Sequence, residues 1–152
     1  MFKRVNLLIF IFALTFKVWA SYDFKNSYPE PKLKPNDVVR LQLIAMQQND
    51  ENDIGIEVTF RFASPANKKL TGPLNRFIRL VRNPSYRPLL NHINATFLDL
   101  TLEDDFAVQD VIITSSSGER IGYRFRLSIQ KGRLHQGCWM TDSVIPFEVT
   151  EV

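Results

Sequence analysis

The sequence predicts an α+β domain, with helices first and a four-stranded antiparallel sheet second. Three observations predict it. Apolar residues recur at helical spacing in residues 35–48 and again in 73–83. After His92 the pattern changes to alternation, the mark of half-buried strands. The strands are separated only by short turns, at Asp104-Asp105, at 115–118 and at Lys131-Gly132. Connections that short leave no room for a crossover helix, so neighbouring strands must run antiparallel.

The chain has 152 residues, 45% hydrophobic and 23% charged, which suits one domain and excludes a disordered chain. Residues 1–20 hold Lys3 and Arg4, then an apolar run of about twelve residues, then Lys17 and Val18-Trp19-Ala20, with small or modest side chains at the usual cleavage offsets. That is the layout of a secretory signal peptide, too short to span a bilayer, which needs about 20 apolar residues. The expectation is a secreted or periplasmic protein with no membrane span once the leader is removed. No cysteine follows the run, which excludes a lipoprotein. Nineteen basic residues stand against sixteen acidic ones, but Lys3, Arg4 and Lys17 account for the excess. The remainder is neutral, so a charge-based case for nucleic acid fails.

Residues 21–34, with Pro29 and Pro31, read as an extended lead-in, and 35–152 as a single domain. Pro35-Asn36-Asp37 opens the first helix, with Asn36 or Asp37 as cap and Val38, Leu41, Ala45 and Gln48 on one stripe. In residues 54–62, Ile54, Ile56, Val58, Phe60 and Phe62 alternate with Gly55, Glu57, Thr59 and Arg61, which by pattern alone is a strand. Residues 64–72 read as loop, punctuated by Pro65 and Gly72. Pro73 suits the first turn of a helix striped by Leu74, Phe77, Ile78 and Val81, and Asn83-Pro84 ends it. Residues 86–92 form a short turn or helix fragment carrying Leu89 and Leu90 inward. The four strands then fall at 96–102, 106–114, 121–129 and 134–144. Leu98, Leu100 and Leu102 share a face of the first, and Ile121, Tyr123, Phe125, Leu127 and Ile129 share a face of the third.

Three stretches stand out together: Phe60-Arg61-Phe62-Ala63-Ser64-Pro65-Ala66-Asn67-Lys68; Thr71-Gly72-Pro73-Leu74-Asn75-Arg76-Phe77, followed by Tyr86 and Leu89-Leu90; and Gly137-Cys138-Trp139-Met140-Thr141-Asp142. With them the chain resembles, over residues 35–145, a family labelled domain of unknown function 4864. That family is similar to the nuclear-transport-factor-2-like, or SnoaL-like, superfamily. The resemblance implies that 54–62 is helical. The expected fold is then three N-terminal helices packed in the curve of a four-stranded antiparallel sheet, a cone with a hollow at its open end. Such cones host isomerases, lyases, ligand binders and dimerisation modules, so fold does not choose among them.

No catalytic set follows from the sequence. Isomerase or lyase chemistry needs a tuned carboxylate and a donor beside the developing charge. Asp142 is the candidate carboxylate, since it interrupts the apolar row Leu134, Cys138, Met140 and Val144, although a strand-end aspartate also serves backbone groups. Tyr86 and Tyr123 are the candidate phenol donors, with Tyr123 on the core face. Asn67, Thr71, Arg76, Tyr86, Trp139 and Asp142 are the candidate ligand-binding residues; Arg76 with Asn67 and Thr71 also suits bracing of the loop before the helix. Trp139 is expected on the side opposite the Cys138 row, lining the hollow or a homodimer surface.

Arg61, Lys68, Lys69, Arg76, Arg79, Arg82 and Arg87 form a basic stretch, read as a solvated face balanced by Asp99, Glu103, Asp104, Asp105 and Asp110, or as an anionic-ligand patch. The lone Cys138 excludes an internal disulfide and reads as a core thiol. His92 and His135 lack partners at metal or triad spacing, and no cofactor fingerprint occurs. Asn94-Ala95-Thr96 is a glycosylation sequon. The expectation is a module for a small ligand or a protein partner, with an isomerase or lyase, or a dimeric structural module, as the other readings.

Overall fold

The computed structural model describes residues 23–150; the expected leader, 1–20, lies outside the described residues. Among the described residues, four helices precede the sheet: α1 (Pro35–Gln47), α2 (Ile54–Arg61), α3 (Pro65–Thr71) and α4 (Leu74–Val81). The sheet is an antiparallel meander of β1 (Asn94–Glu103), β2 (Phe106–Thr114), β3 (Arg120–Ile129) and β4 (Trp139–Glu148), in that spatial order. Short 3₁₀ turns lie at Phe24–Asn26, Arg87–Leu89 and Arg133–His135. Among the described residues no helix is long and apolar enough to cross a membrane.

Local chemistry accounts for the helices. α1 starts at Pro35, and the Asp37 carboxylate caps it by accepting from the Lys34 N–H at 3.0 Å. α2 is helical despite its alternating sequence because its first amides are met from outside. Asp50 Oδ1 accepts from Ile54 N at 3.2 Å, and Asn49 Oδ1 from Ile56 N at 3.1 Å. Its alternation loses meaning because the helix is enclosed: Gly55, Ile56, Val58 and Thr59 are all buried. Gly55 lies so close to α1 that a Cβ there would stand 2.0 Å from the Ala45 carbonyl oxygen.

The expected count of three helices becomes four, since residues 65–71 are helical rather than loop. Ser64 is the cap, its Oγ accepting from Asn67 N at 3.2 Å, and Pro65 takes the first helical position. A Cβ on Gly72, which follows α3, would stand 2.7 Å from the Lys68 carbonyl oxygen and 3.1 Å from the Phe60 ring.

The lead-in is also more than an extended approach. Phe24 is buried in the core, and Arg61 donates to the Lys25 carbonyl at 2.7 Å. The core lies between the helices and one face of the sheet. Tyr123, Phe125 and Leu127 come from β3 and Val111 and Ile113 from β2; Val38 and Val39 face them from α1, and Ile56 and Val58 from α2.

Two strands carry bulges, each with one residue too many for its partner. In β1 the pairing slips between Phe97 and Leu100. In β4, Thr141 pairs with Leu127 and Ser143 with Arg126, so Asp142 is the extra residue. The expected row Leu134, Cys138, Met140, Asp142 and Val144 is therefore not one face. Leu134 sits in a 3₁₀ turn, 85% exposed, because Gly137 N–H bonds Gln130 and closes the hairpin after it. Past the bulge, Thr141 and Val144 share the core face with Leu127 and Phe125, and Trp139 pairs with Ile129. Trp139 thus packs half-buried against the core instead of forming an outer surface. The outer half of β1 stays uncovered, leaving Leu98, Leu100 and Leu102 exposed.

Candidate functional site

The second and third sequence stretches meet at the bulge in β4, and the first joins them there. Ala63 forms a parallel bridge with Thr141. Around that bridge runs a buried polar seam. Gln42 of α1 donates to the Thr59 carbonyl at 3.1 Å and accepts from Thr141 Oγ1 at 2.7 Å. The Thr141 carbonyl accepts from Ser64 N at 2.8 Å and from Asn67 Nδ2 at 3.0 Å. Thr71 Oγ1 donates to the Asn67 carbonyl at 2.9 Å. Among the described residues no buried side-chain nitrogen or oxygen lacks a partner. A polar seam so satisfied fixes geometry, because breaking any member strands another. Through it Ser64, Asn67 and Thr141 fasten α3 to β4.

Beside the seam lies a cavity of about 310 Å³. Met46, Phe77, Val81, Leu89, Phe125 and Val144 give it an apolar wall, and Asn67, Thr71, Tyr86, Asp142 and Ser143 add polar groups. Such a mix of broad apolar wall and few polar groups is the usual makeup of a small-molecule site. Larger hollows among the described residues lie near Ser85, Glu119 and Phe147 and near Arg87, Asn91 and Ser117. Neither contains a candidate ligand-binding residue.

Four of the six ligand-binding candidates, Asn67, Thr71, Tyr86 and Asp142, line the 310 Å³ cavity. Arg76 and Trp139 do not. Arg76 is exposed on α4, whose Phe77 and Val81 face inward, and so takes no part in bracing the Asn67–Thr71 corner. Sequence reasoning missed the wall residues Met46, Leu70 and Leu80, which only the packing of three helices brings together. The Ser64-Pro65 pair was the available signal for α3, and with α3 comes the position of Leu70.

Both candidate phenols are committed to backbone. Tyr86 Oη donates to the Val144 carbonyl at 3.0 Å, and Tyr123 Oη to the Ser85 carbonyl at 2.8 Å. Burial pushes both phenol pKa values up, that of Tyr123 strongly, with Glu119 and Tyr86 adding to it. Tyr123 is a core residue, as its strand face implied, and does not line the cavity. Asp142 differs from Asn67, Thr71 and Tyr86. Among the described residues, none hydrogen-bonds or ion-pairs with its side chain, so it caps no turn.

The remaining candidates are accounted for by packing. His92 is buried, its Nδ1 donating to the Leu89 carbonyl at 2.8 Å, and burial lowers its pKa. Burial raises the Cys138 thiol, with Glu30 adding to it, which leaves the thiol unactivated. Within the basic stretch Arg61 pairs with Glu57 at 2.9 Å and Arg82 pairs with Asp53. These are not the acids expected to balance it: Asp110 serves Arg124 and Asp105 serves Lys131, since both lie on the meander. Among the described residues no group of three or more His, Cys, Asp or Glu is placed to hold a metal ion.

Residues 30–150 match the model of a protein family whose description is Domain of unknown function (DUF4864). No curated protein and no solved structure matches the chain.

Proposed function

We propose that this chain, which belongs to the DUF4864 family, is an exported domain that binds a small, largely apolar molecule in the cavity between α3, α4 and β4. One observation carries the reading: four of the residues singled out from the sequence motifs, Asn67, Thr71, Tyr86 and Asp142, converge on an apolar cavity whose rim is braced by a satisfied seam. The leader-like residues 1–20 support export. The succession of a helical layer and an antiparallel meander supports the SnoaL-like placement, in which such hollows hold ligands.

The cavity offers a carboxylate for acid–base chemistry but no disengaged phenol beside it, since Tyr86 donates to Val144. Binding without chemistry therefore fits the geometry better than an isomerase or lyase. Thermal-shift and native mass-spectrometry screening of the purified chain against small apolar molecules tests the proposal. Leu80→Trp, which places bulk at the wall, should abolish any shift while circular dichroism stays unchanged. Uniformly absent shifts, or shifts that survive Leu80→Trp, would refute it.

A second reading, a homodimeric module, is favoured by β1. This strand is a sheet edge with Leu98 43%, Leu100 37% and Leu102 56% exposed. Long apolar edges invite a second strand. Sedimentation of wild type and Leu100→Lys distinguishes this reading, which requires a dimer that the lysine dissociates.

A further inference from the structure

We infer that the occupant of the cavity is an amphiphilic amine: an apolar body of one or two rings carrying a protonated amino group that pairs with Asp142. The inference rests on the cavity being a ligand site and adds the charge of its ligand.

Two observations lead there. First, Asp142 is the single charged residue among those lining the cavity, and no lysine or arginine lines it to neutralise the carboxylate. Second, the other polar groups are occupied, the Ser143 hydroxyl excepted. Asn67 and Thr71 bond each other and β4, and Tyr86 bonds Val144, so they have little to offer a ligand. A carboxylate only accepts, and beside an apolar wall it interacts most strongly with a cation that brings its own donors. The bulge in β4 is the device that makes this possible. It inserts Asp142 between Thr141, held in the seam, and Val144, packed on the core, without disturbing either.

The test uses three molecules that differ only in head group: 1-naphthylmethylamine, 1-naphthylmethanol and 1-naphthoate. Each is titrated by calorimetry into the purified chain and into Asp142→Asn, at low and high salt. The amine is expected to bind about tenfold more tightly than the alcohol and the carboxylate more weakly than both. Asp142→Asn should remove the advantage of the amine and leave the alcohol unchanged, and salt should weaken only the amine. If the variant fails to fold, the ranking and the salt dependence of wild type decide alone. Equal binding of amine and alcohol by wild type would overturn the inference while leaving the ligand site standing. Binding of none of the three would overturn the inference, and the screen against Leu80→Trp then decides the ligand site by itself.

Discussion

Thr141 and Asp142 are adjacent in β4, yet they belong to two regions built on opposite terms. On the Thr141 side, a seam through Gln42, Thr59, Ser64 and Asn67 meets its buried polar atoms with partners from four elements. On the Asp142 side, an apolar wall adjoins a half-buried carboxylate without a partner in the protein. The seam is what a fold needs, since a buried donor or acceptor left unmet costs about 1–3 kcal/mol. The carboxylate contributes nothing of that kind. The contrast teaches that satisfaction and vacancy are separated by one bulged residue, and that a rigid side is what lets the other side stay unsatisfied.

The comparison can be broken from the seam side with the largest effect. Gln42→Ala removes both a donor and an acceptor and opens a void, and is expected to cost about 3 kcal/mol in urea unfolding. Thr141→Val keeps the shape but strands Gln42 Oε1, with an expected loss of about 1–2 kcal/mol. A smaller effect should appear with pH. His92 is buried and its folded pKa lies below the ordinary 6.5, so the unfolded chain takes up a proton more readily. Its contribution is complete above pH 6.5 and is lost as pH falls from there through the folded value. His92→Gln should flatten that part of the stability profile; an unaltered slope would show that His92 does not cause it. The smallest effect sharpens the contrast. Asp142→Asn should change stability by no more than about 0.5 kcal/mol, because no protein contact is lost. A large loss there would mean that Asp142 serves the fold after all.

Much of this arrangement could be read from the residues, for reasons specific to each element. α1 and α4 carry helical stripes, and β2 and β3 alternate against a single core, so their periodicities survive. α2 could not be read by pattern, because a helix buried on nearly every side has no stripe; its caps, Asn49 and Asp50, were more informative than its core. α3 was legible in Ser64-Pro65, but Pro65 and Gly72 together read as loop punctuation. The bulge at Asp142 has no marker in the sequence, and it reverses which residues of β4 face inward. Asn67, Thr71, Tyr86 and Asp142 were found through motifs, and Met46, Leu70 and Leu80 required the helices to be assembled. Arg76 belonged to the same motif but lies on the exposed side of α4, because a motif records proximity in the chain rather than direction.

Methyl NMR during titration with 1-naphthylmethanol tests the central claim most directly, because leucines report from both the cavity and the open sheet edge. The account predicts shifts at Leu80, Leu89, Val81 and Val144, with Leu98, Leu100 and Leu102 unmoved. Shifts confined to the β1 leucines, or no shifts at all, would contradict it.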